Sequence, residues 1–445
     1  MATMEIYDVS PSGNNAVDSL TYNYRWKSNS VSFSFMANNS TFVKGYDQME
    51  NFSPFTSTMQ AGAREAFSLW ASVANISFTE VTEPNAAGVI RMGRSSSADE
   101  GSSAFAYELG NDEPSADIWF GYTGSLENPH WNTYADVAFE TEVHEIGHAL
   151  GLKHPGDYNG DGQGEPPFAA ANIDCLAYST MSYIPYPGGD MEANMGDTSY
   201  PQTPMLDDIA AIQYLYGANY NYNSNDTTYT FKPSDTKIFR TIWDGGGIDT
   251  YDASAYNEGV SLNLAPGAWS TLGASQLADL GDGQKPPGSV ANAYLFGNDT
   301  RSLIENAIGG SGNDTLWGNA GNNTLSGGAG NDVLWGGPGG DDLLDGGAGS
   351  DTYWFTADGS TDTIKDASDN EQDVVRFQTA WMPTDVSISA LGSNLVLSAA
   401  GTKIVLKDWD EGGDYQLNQF YFTQTGSMYD IVFSDSGEGR FNPLN

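Results

Sequence analysis

The sequence contains few basic residues and almost no cysteine. Lys and Arg together number 17 against 58 Asp and Glu, which gives a formal net charge of −41. This balance excludes nucleic acid and anionic membranes as electrostatic partners. The single cysteine, Cys175, excludes an intramolecular disulfide, and no run of about 20 apolar residues predicts a transmembrane helix. The acidic residues are either a solvated surface suited to salty surroundings or ligands of bound metal, or both.

Histidine is also scarce, because the chain has only four and three of them fall within twelve residues. His144 and His148 are four residues apart, so on a helix they share one face and can bind one zinc ion. Glu145 between them can act as a base on a bound water. Gly151 suits a left-handed turn that ends the helix, after which His154 can return as a third ligand. Three nitrogens with one open position are typical of a catalytic zinc.

The stretch His144–Pro155 resembles the zinc signature of metzincin proteases, and Pro155 directly after the third histidine resembles the serralysin branch. Tyr178–Tyr183 is similar to the methionine turn of that family. The resemblance implies that Met181 forms an apolar floor beneath the histidines. It also implies that Tyr183 is an extra zinc ligand in the resting enzyme, which swings away to stabilise the transition state.

Periodicity predicts an α+β domain over residues 1–219. Alternating apolar residues predict a strand around Val31–Phe35, and helical spacing predicts a long amphipathic helix over Thr56–Val73. We expect the zinc helix to run from Asp136 to Leu150. A last helix should be capped by Thr203 and Pro204 and run through Tyr216, with Gly217 ending it.

A further short strand carries a functional expectation. It consists of Ser103, Ala104, Phe105, Ala106 and Tyr107. The resemblance implies that this strand is the sheet edge above the zinc and binds substrate as an added antiparallel strand, a mode that tolerates many peptide sequences. The alternative is an ordinary internal strand.

Residues 220–375 should form a linker followed by a calcium-binding parallel β-roll. From Gly309 the sequence repeats with a period of nine, with copies at Gly318, Gly327 and Gly336 and a last at Gly346 after one extra residue. In such a roll six residues turn, three form a strand, and carbonyl and carboxylate oxygens bind calcium between turns. A flexible Gly-rich linker would not explain the fixed apolar positions, which are Leu316, Leu325, Leu334, Leu343 and Tyr353.

The predicted calcium ligands comprise the repeat positions and an upstream turn that resembles another calcium turn of the serralysins. The full set is Asp244, Gly246, Gly247, Asp249, Glu305, Gly310, Gly312, Asp314, Gly327, Gly328, Ala329, Gly330, Asp332, Gly336, Gly337, Gly339, Asp341, Gly346, Gly347, Gly349 and Asp351. Asn323 replaces the aspartate in the second copy, so a weak or absent site is expected there.

Residues 376–445 should form a small antiparallel sheet that covers the open end of the roll. Serralysins usually end in an acidic residue and several apolar ones, whereas here the nearest match, Asp430–Phe433, is followed by a polar tail. The start of the chain has neither a basic region nor an apolar run, so a cleaved signal peptide is not expected. These features leave the export route open, with type I export as the expectation.

The sequence thus predicts a secreted bacterial endopeptidase with one catalytic zinc and several structural calcium ions. A metal-activated water attacks the peptide bond, with Glu145 as general base. The expected partners are protein and peptide substrates, with a proteinaceous inhibitor left open, no nucleic acid, no stable membrane association and a monomeric state. Two other classes remain: a calcium-dependent adhesin with a relic metal site, and another secreted enzyme on the same roll, such as a lipase. The lipase signature Gly-x-Ser-x-Gly is absent from the N-terminal half.

Overall fold

The computed structural model describes most of the chain as two compact units. The described residues are 5–38, 51–96, 98, 104–111, 115–122, 136–158, 166–191, 195, 199–365, 372–378, 381–409, 417, 419–434 and 438–444. The first unit comprises residues 1–222, 237–243 and 277–297, and the second comprises 223–236, 244–276 and 298–445. Among the described residues, no helix is both long and apolar enough to cross a membrane.

The first part of the chain alternates short strands with four helices in the described residues. In order, the elements are β1 Ile6–Asp8, α1 Asn15–Asp18, β2 Tyr24–Trp26, β3 Ser30–Phe35, α2 Ser57–Val73, β4 Ser77–Glu80, β5 Ile90–Arg94, β6 Ala104–Ala106, β7 Ile118–Phe120, α3 Val137–Ala149 and α4 Leu206–Tyr216. The predicted long helix and zinc helix are therefore confirmed, each to within about one residue at its ends.

A five-stranded sheet carries this unit, with the strand order β4-β3-β5-β7-β6. Its pairings are parallel except that β6 runs antiparallel to β7 at the edge. Helix α2 covers the sheet because its apolar residues recur at helical spacing and are buried, among them Phe67 and Trp70. Phe67 stacks on Phe33 of β3 at 4.2 Å between ring centroids. Trp70 joins α2 to α3, since its Nε1 donates to the Val143 carbonyl at 3.0 Å.

Helix α4 begins later than the sequence predicts. Its N-cap is Met205 rather than Thr203 or Pro204, because the carboxyl of Asp208, the third helical residue, accepts a hydrogen bond from the Met205 amide at 2.8 Å. The C-terminal prediction is confirmed, since the helix ends at Tyr216 and Gly217 follows with φ of 84°.

The remaining elements in the described residues are short strands and a few 3₁₀ turns. The strands are β8 Thr228–Thr230, β9 Arg240–Ile242, β10 Thr250–Asp252, β11 Ser261–Asn263, β12 Trp269–Ser270, β13 Val290–Asn292, β14 Asn306–Ile308, β15 Thr315–Trp317, β16 Thr324–Ala329, β17 Val333–Trp335, β18 Leu343–Ala348, β19 Thr352–Phe355, β20 Thr361–Ile364, β21 Val374–Phe377, β22 Ser387–Leu391, β23 Asn394–Ala399, β24 Thr402–Leu406, β25 Gln419–Phe422, β26 Ser427–Phe433 and β27 Gly439–Pro443. Strands β9 and β13 pair within the first unit.

The second unit is the predicted parallel roll. Successive strands go alternately to two sheets, so β14, β16, β18 and β20 pair in parallel in one sheet, and β15, β17, β19 and β21 pair in parallel in the other. Apolar residues of these strands point between the sheets, and Leu316, Leu325, Leu334 and Tyr353 are fully buried there, as predicted. Burial of each such side chain contributes about 1.5–3 kcal/mol. The predicted α+β unit followed by an all-β roll is therefore confirmed.

The strands after the roll do not form a separate sheet as the sequence analysis expects. Instead, β22, β23 and β24 extend one sheet of the roll, and β25, β26 and β27 extend the other. Strand β24 pairs in parallel with β20, and β25 with β21, whereas the strands beyond them turn back antiparallel. The antiparallel strands β23 and β26 thereby pair with β24 and β25, the last parallel strands of the two sheets. Without them, the outer edges of β24 and β25 would be open.

Candidate active site and repeat turns

The three predicted histidines meet at one point in the first unit. His144 and His148 lie on α3, and His154 returns after Gly151, whose φ is 102°. Their Nε2 atoms are 3.0–3.1 Å apart in all three pairs. A tetrahedral zinc with Zn–N bonds of about 2.0–2.1 Å would hold two nitrogens about 3.3 Å apart. The spacing therefore suits three ligands of one small cation.

Hydrogen bonding fixes the protonation of two of these rings. His144 Nδ1 lies 2.8 Å from the Thr180 carbonyl, and His148 Nδ1 lies 2.8 Å from the Leu152 carbonyl. A carbonyl only accepts, so each Nδ1 carries the proton and each Nε2 presents a lone pair. Burial lowers the pKa of His144 to about 3 and that of His148 to about 4, which keeps both rings neutral. Two lone pairs 3.1 Å apart cannot bond to each other, so the donor set fits a cation such as zinc.

The predicted methionine turn packs directly against the zinc helix. Met181 is fully buried, and a Cβ added at Gly147 of α3 would lie 2.7 Å from its sulfur. Glycine at that position is what allows the approach. Asp208 of α4 holds the turn from the other side, since it accepts from Ser179 Oγ at 2.6 Å and from the Thr180 amide at 2.7 Å. The Thr180 carbonyl in turn orients His144.

Glu145 lies beside the histidines with one oxygen free. Burial raises the pKa of its carboxyl to about 8, although a hydrogen bond from the Ala106 backbone lowers it. Its Oε2 has no hydrogen-bond partner among the described residues. A bound dication would lower this pKa through its charge, which leaves a carboxylate able to accept a proton.

Tyr183 covers one side of the histidine cluster. Its ring centroid is 4.4 Å from that of His154 and 5.6 Å from that of His144. The residue is 44% exposed, so it borders the open side of the site. Tyr158 stacks on Tyr183 at 4.9 Å and donates from its hydroxyl to Asp174 at 2.5 Å, which anchors the pair.

The predicted substrate strand corresponds to β6 at the edge of the sheet. Strand β6 spans Ala104–Ala106, and its other side is unpaired among the described residues. Phe105 pairs with Trp119 of β7, so Phe105 belongs to the sheet, and Tyr107 follows directly after the strand. Ser103 lies outside the described residues. The hydrogen bond from Ala106 to Glu145 connects this edge to the histidine site.

The repeat aspartates form two hydrogen-bonded ladders along the roll. The amide of Asp314 donates to Asp332 Oδ1 at 2.7 Å, that of Asp332 to Asp351 at 2.7 Å, and that of Asp351 to Asp373 at 2.8 Å. In the second ladder the Asn323 amide donates to Asp342 Oδ1 of the next coil at 2.8 Å. Each carboxylate therefore caps the preceding coil with one oxygen.

The other oxygen of these aspartates faces the interior of the turns. Oδ2 of Asp332 is buried and has no hydrogen-bond partner among the described residues. A Cβ added at Gly327 would collide with both Asp332 Oδ2 and the Gly346 carbonyl oxygen, so carboxylate and carbonyl oxygens converge there. Orphaned, converging oxygens fit calcium. The predicted turn glycines with positive φ are Gly246, Gly247, Gly328, Gly330, Gly337, Gly339, Gly347 and Gly349.

One repeat has a different register from the one predicted. Asp342 occupies the buried aspartate position, whereas Asp341 is exposed. Likewise Leu344 is fully buried, so the assignment of Leu343 to the interior is wrong. The extra residue of this copy lies in its glycine turn, where Gly340, rather than Gly339, lies against the Gly321 carbonyl of the preceding coil. The repeat pattern predicts instead that the extra residue is Asp345, after the strand.

The upstream acidic turn also comes together as predicted. Asp249 donates its amide to Glu305 at 2.8 Å, and its buried Oδ2 has no partner among the described residues. Asp244 accepts from the Gly246 amide at 2.8 Å and from the Tyr229 hydroxyl at 2.6 Å. Burial, opposed by a hydrogen bond from Thr227 and assisted by Asp244, raises the pKa of Asp249 to about 7.

Three residues near the histidine site escape the sequence analysis. Asp208 and Asp174 lie far along the chain from the groups they hold, so spacing alone gives no signal. Glu140 does have a signal, because it precedes His144 by four residues and must share its helix face. Its carboxyl is buried with 8% of the residue exposed.

Comparisons with known proteins agree with this geometry. Residues 25–159 match the family model described as Matrixin, and residues 208–395 match the one described as Peptidase M10 serralysin C terminal. The chain is 37% identical over 307 residues to metallopeptidase AprA of Pseudomonas marginalis, covering 65% of this chain and 60% of that protein. It is 38% identical over 282 residues to serralysin A of Dickeya chrysanthemi, with 60% and 54% covered. Serralysin of Photorhabdus laumondii is 34% identical over 334 residues, with 69% and 64% covered.

A sheet with an antiparallel edge strand, a helix bearing two of three clustered histidines and a buried methionine turn define the metzincin class. The second family model and the curated relatives extend the match into the coiled repeats. Both halves of the chain therefore match the serralysin-type metzincin metalloproteases. It spans about 60% of the length of the first of these relatives.

Proposed function

We propose that the chain is a secreted zinc-dependent endopeptidase that hydrolyses peptide bonds of extracellular proteins. The observation that carries this proposal is the convergence of three neutral imidazoles beside an unpaired carboxyl oxygen of Glu145. His144, His148 and His154 would hold the zinc, with Tyr183 as an additional ligand in the resting state. When bound, zinc supplies a Lewis acid that polarises an oxygen and brings the pKa of water toward 7.

The protein groups have separate tasks in this reaction. Glu145 accepts a proton from the attacking water and passes it to the leaving amine. The Tyr183 hydroxyl donates a hydrogen bond to the oxygen that gains charge on the scissile carbonyl. Thr180 and Leu152 carbonyls fix the tautomers of two histidines, and Met181 fills the space behind them.

The edge strand supplies the binding site for an extended peptide. Residues 103–107 would pair antiparallel with the substrate, because β6 has an unpaired side among the described residues. Backbone pairing positions the peptide without selecting many side chains. We expect the protein to act as a monomer, and a proteinaceous inhibitor would occupy the same edge.

The test of catalysis is casein hydrolysis by the zinc-loaded protein and by Glu145→Gln. Loss of the proton acceptor should lower kcat by a factor of about 100 or more with zinc content unchanged. Glu142→Gln is the matched control, because Glu142 is a fully buried carboxyl on the same helix. Equal rates for wild type and Glu145→Gln would leave a binding module with a relic metal site as the better reading.

Calcium is proposed to fold the second unit. Asp332 of the roll and Asp249 of the upstream turn each present an orphaned carboxylate oxygen, and burial raises the pKa of Asp332 to about 6 and that of Asp249 to about 7. Without a cation these carboxyls repel one another, as expected for a protein that folds after reaching calcium-rich medium outside the cell. Circular dichroism with and without chelator tests this, and unchanged β-structure without calcium would refute it.

A further inference from the structure

One buried carboxyl in the histidine cleft has no task in the proposed reaction. Glu140 lies one helical turn before His144, so its side chain projects from the face that carries His144 and His148. Tyr183 lies beside the histidine rings, with its ring centroid 5.6 Å from that of His144 and 4.4 Å from that of His154, so it borders the helix face that Glu140 shares with His144. Tyr183 borders the open side of the site, so a bound peptide would pass close to Glu140.

Glu140 is also unpaired, in contrast to the similarly buried Glu83. It is 8% exposed, yet no hydrogen bond or ion pair reaches its carboxyl from any described residue. Glu83, which is 7% exposed, accepts two bonds from Arg91 at 2.9 and 3.0 Å and one from Ser34 at 2.7 Å. A buried carboxyl without partners is unfavourable unless a ligand completes it.

The surroundings of Glu140 are acidic. Burial raises its pKa well above the ordinary value, and the carboxyls of Asp208 and Glu145 raise it further. The cation described near the cleft, Lys153, donates instead to the Ser19 carbonyl at 2.7 Å and the Pro167 carbonyl at 3.1 Å. A cationic side chain of a bound peptide would lower the pKa of Glu140 and pair with the ionised carboxylate.

We propose that Glu140 binds the side chain of a lysine or arginine that flanks the cleaved bond, so that the enzyme selects basic residues there. This inference rests on the proposed peptidase activity and names its substrate class. An extended peptide brings the side chain next to the scissile carbonyl to within a few ångströms of the histidines. An ammonium or guanidinium then forms a charge-assisted hydrogen bond with the carboxylate, and arginine can form two.

The first test uses the wild-type, zinc- and calcium-loaded protein and pairs of otherwise identical peptides. In each pair, the residue on one side of the cleaved bond is lysine or norleucine, which have similar length but differ in charge. Cleavage sites are identified by mass spectrometry. We expect kcat/KM to favour lysine by at least about tenfold on one side of the bond, which corresponds to about 1.4 kcal/mol.

Variants connect the preference to Glu140. Glu140→Gln should lower kcat/KM for the lysine peptide about tenfold and leave the norleucine peptide unchanged. Glu140→Lys should favour a glutamate peptide over the lysine one. Glu142→Gln is the control, because Glu142 is equally unpaired and buried but lies two residues away and so does not share the cleft face.

The outcomes separate this inference from the proposed function. Cleavage of both peptides at equal rates by the wild type would overturn the role of Glu140 and keep the peptidase. A lysine preference that persists in Glu140→Gln would overturn it as well. If the wild type cleaved neither peptide nor casein, the proposed function would fail and this inference with it.

Discussion

Asp208 should be the residue outside the cluster on which the metal centre depends most. Its carboxyl accepts four hydrogen bonds, from Ser179 Oγ at 2.6 Å, Thr180 Oγ1 at 3.0 Å, and the amides of Thr180 at 2.7 Å and Met205 at 2.8 Å. Asp208→Ala removes every acceptor at once. The two hydroxyls can rotate to other partners, but the two backbone amides cannot.

The size of the effect follows from those two amides. A buried donor left unsatisfied costs about 1–3 kcal/mol, so the free energy of unfolding should fall by about 2–6 kcal/mol. The Thr180 carbonyl, which orients His144, would lose its support. Loss of such support typically weakens metal binding by about 10–100-fold. Asp208→Asn keeps one acceptor oxygen and should lose less of both.

The measurement is denaturant unfolding of the first unit together with zinc competition against a chelator. Asp207→Asn is the matched control for zinc affinity, which it should leave unchanged, because Asp207 is the adjacent residue of α4, is 4% exposed, and its carboxyl has no hydrogen bond from the described residues. The reasoning is refuted if Asp208→Ala unfolds within about 1 kcal/mol of the wild type, or if its zinc affinity is unchanged.

Three further predictions follow from the same contacts. Burial, assisted by Asp208, raises the folded-state pKa of Asp207 to about 7, so its ionisation opposes folding and the free energy of unfolding falls as the pH rises toward 7; Asp207→Asn should remove this loss, which amounts to about 2 kcal/mol between unfolding curves at pH 5.5 and 8.5. Asp342→Asn should weaken calcium binding in titration calorimetry, whereas Asp341→Asn should not, because only Asp342 is buried; the reverse order would refute the observed register. Gly147→Ala places a Cβ 2.7 Å from the Met181 sulfur and should lower the free energy of unfolding by about 1–3 kcal/mol, and an unchanged melting temperature would contradict this packing.

The histidine site could be predicted from the sequence because its key residues are close together in the chain. His144, Glu145 and His148 are spaced by the helix itself, and Gly151 permits the turn to His154 with φ of 102°. The period of nine is equally local, since each coil repeats the last. The confirmed helix α3 and the roll both rest on such short-range rules.

The errors arise where tertiary contacts decide between local alternatives. A one-residue insertion can lie before or after a strand without changing the repeat pattern. Burial of Leu344 in place of Leu343 shows that the insertion lies before the strand. The last strands alternate as an independent sheet would, but the open edges of the roll pair with them. The partners of Asp208 lie up to 29 residues away, where the sequence pattern carries no information.

The aspartate ladders give the roll a direction. Each coil depends on a carboxylate from the coil that follows it, so Asp314 relies on Asp332, and Asp332 on Asp351. A shortening of the chain at its carboxyl end should therefore loosen the coils one after another toward the amino end, while a cut at the amino end leaves the later coils supported. We therefore expect folding of this unit to nucleate in its last coils and to propagate toward the amino end.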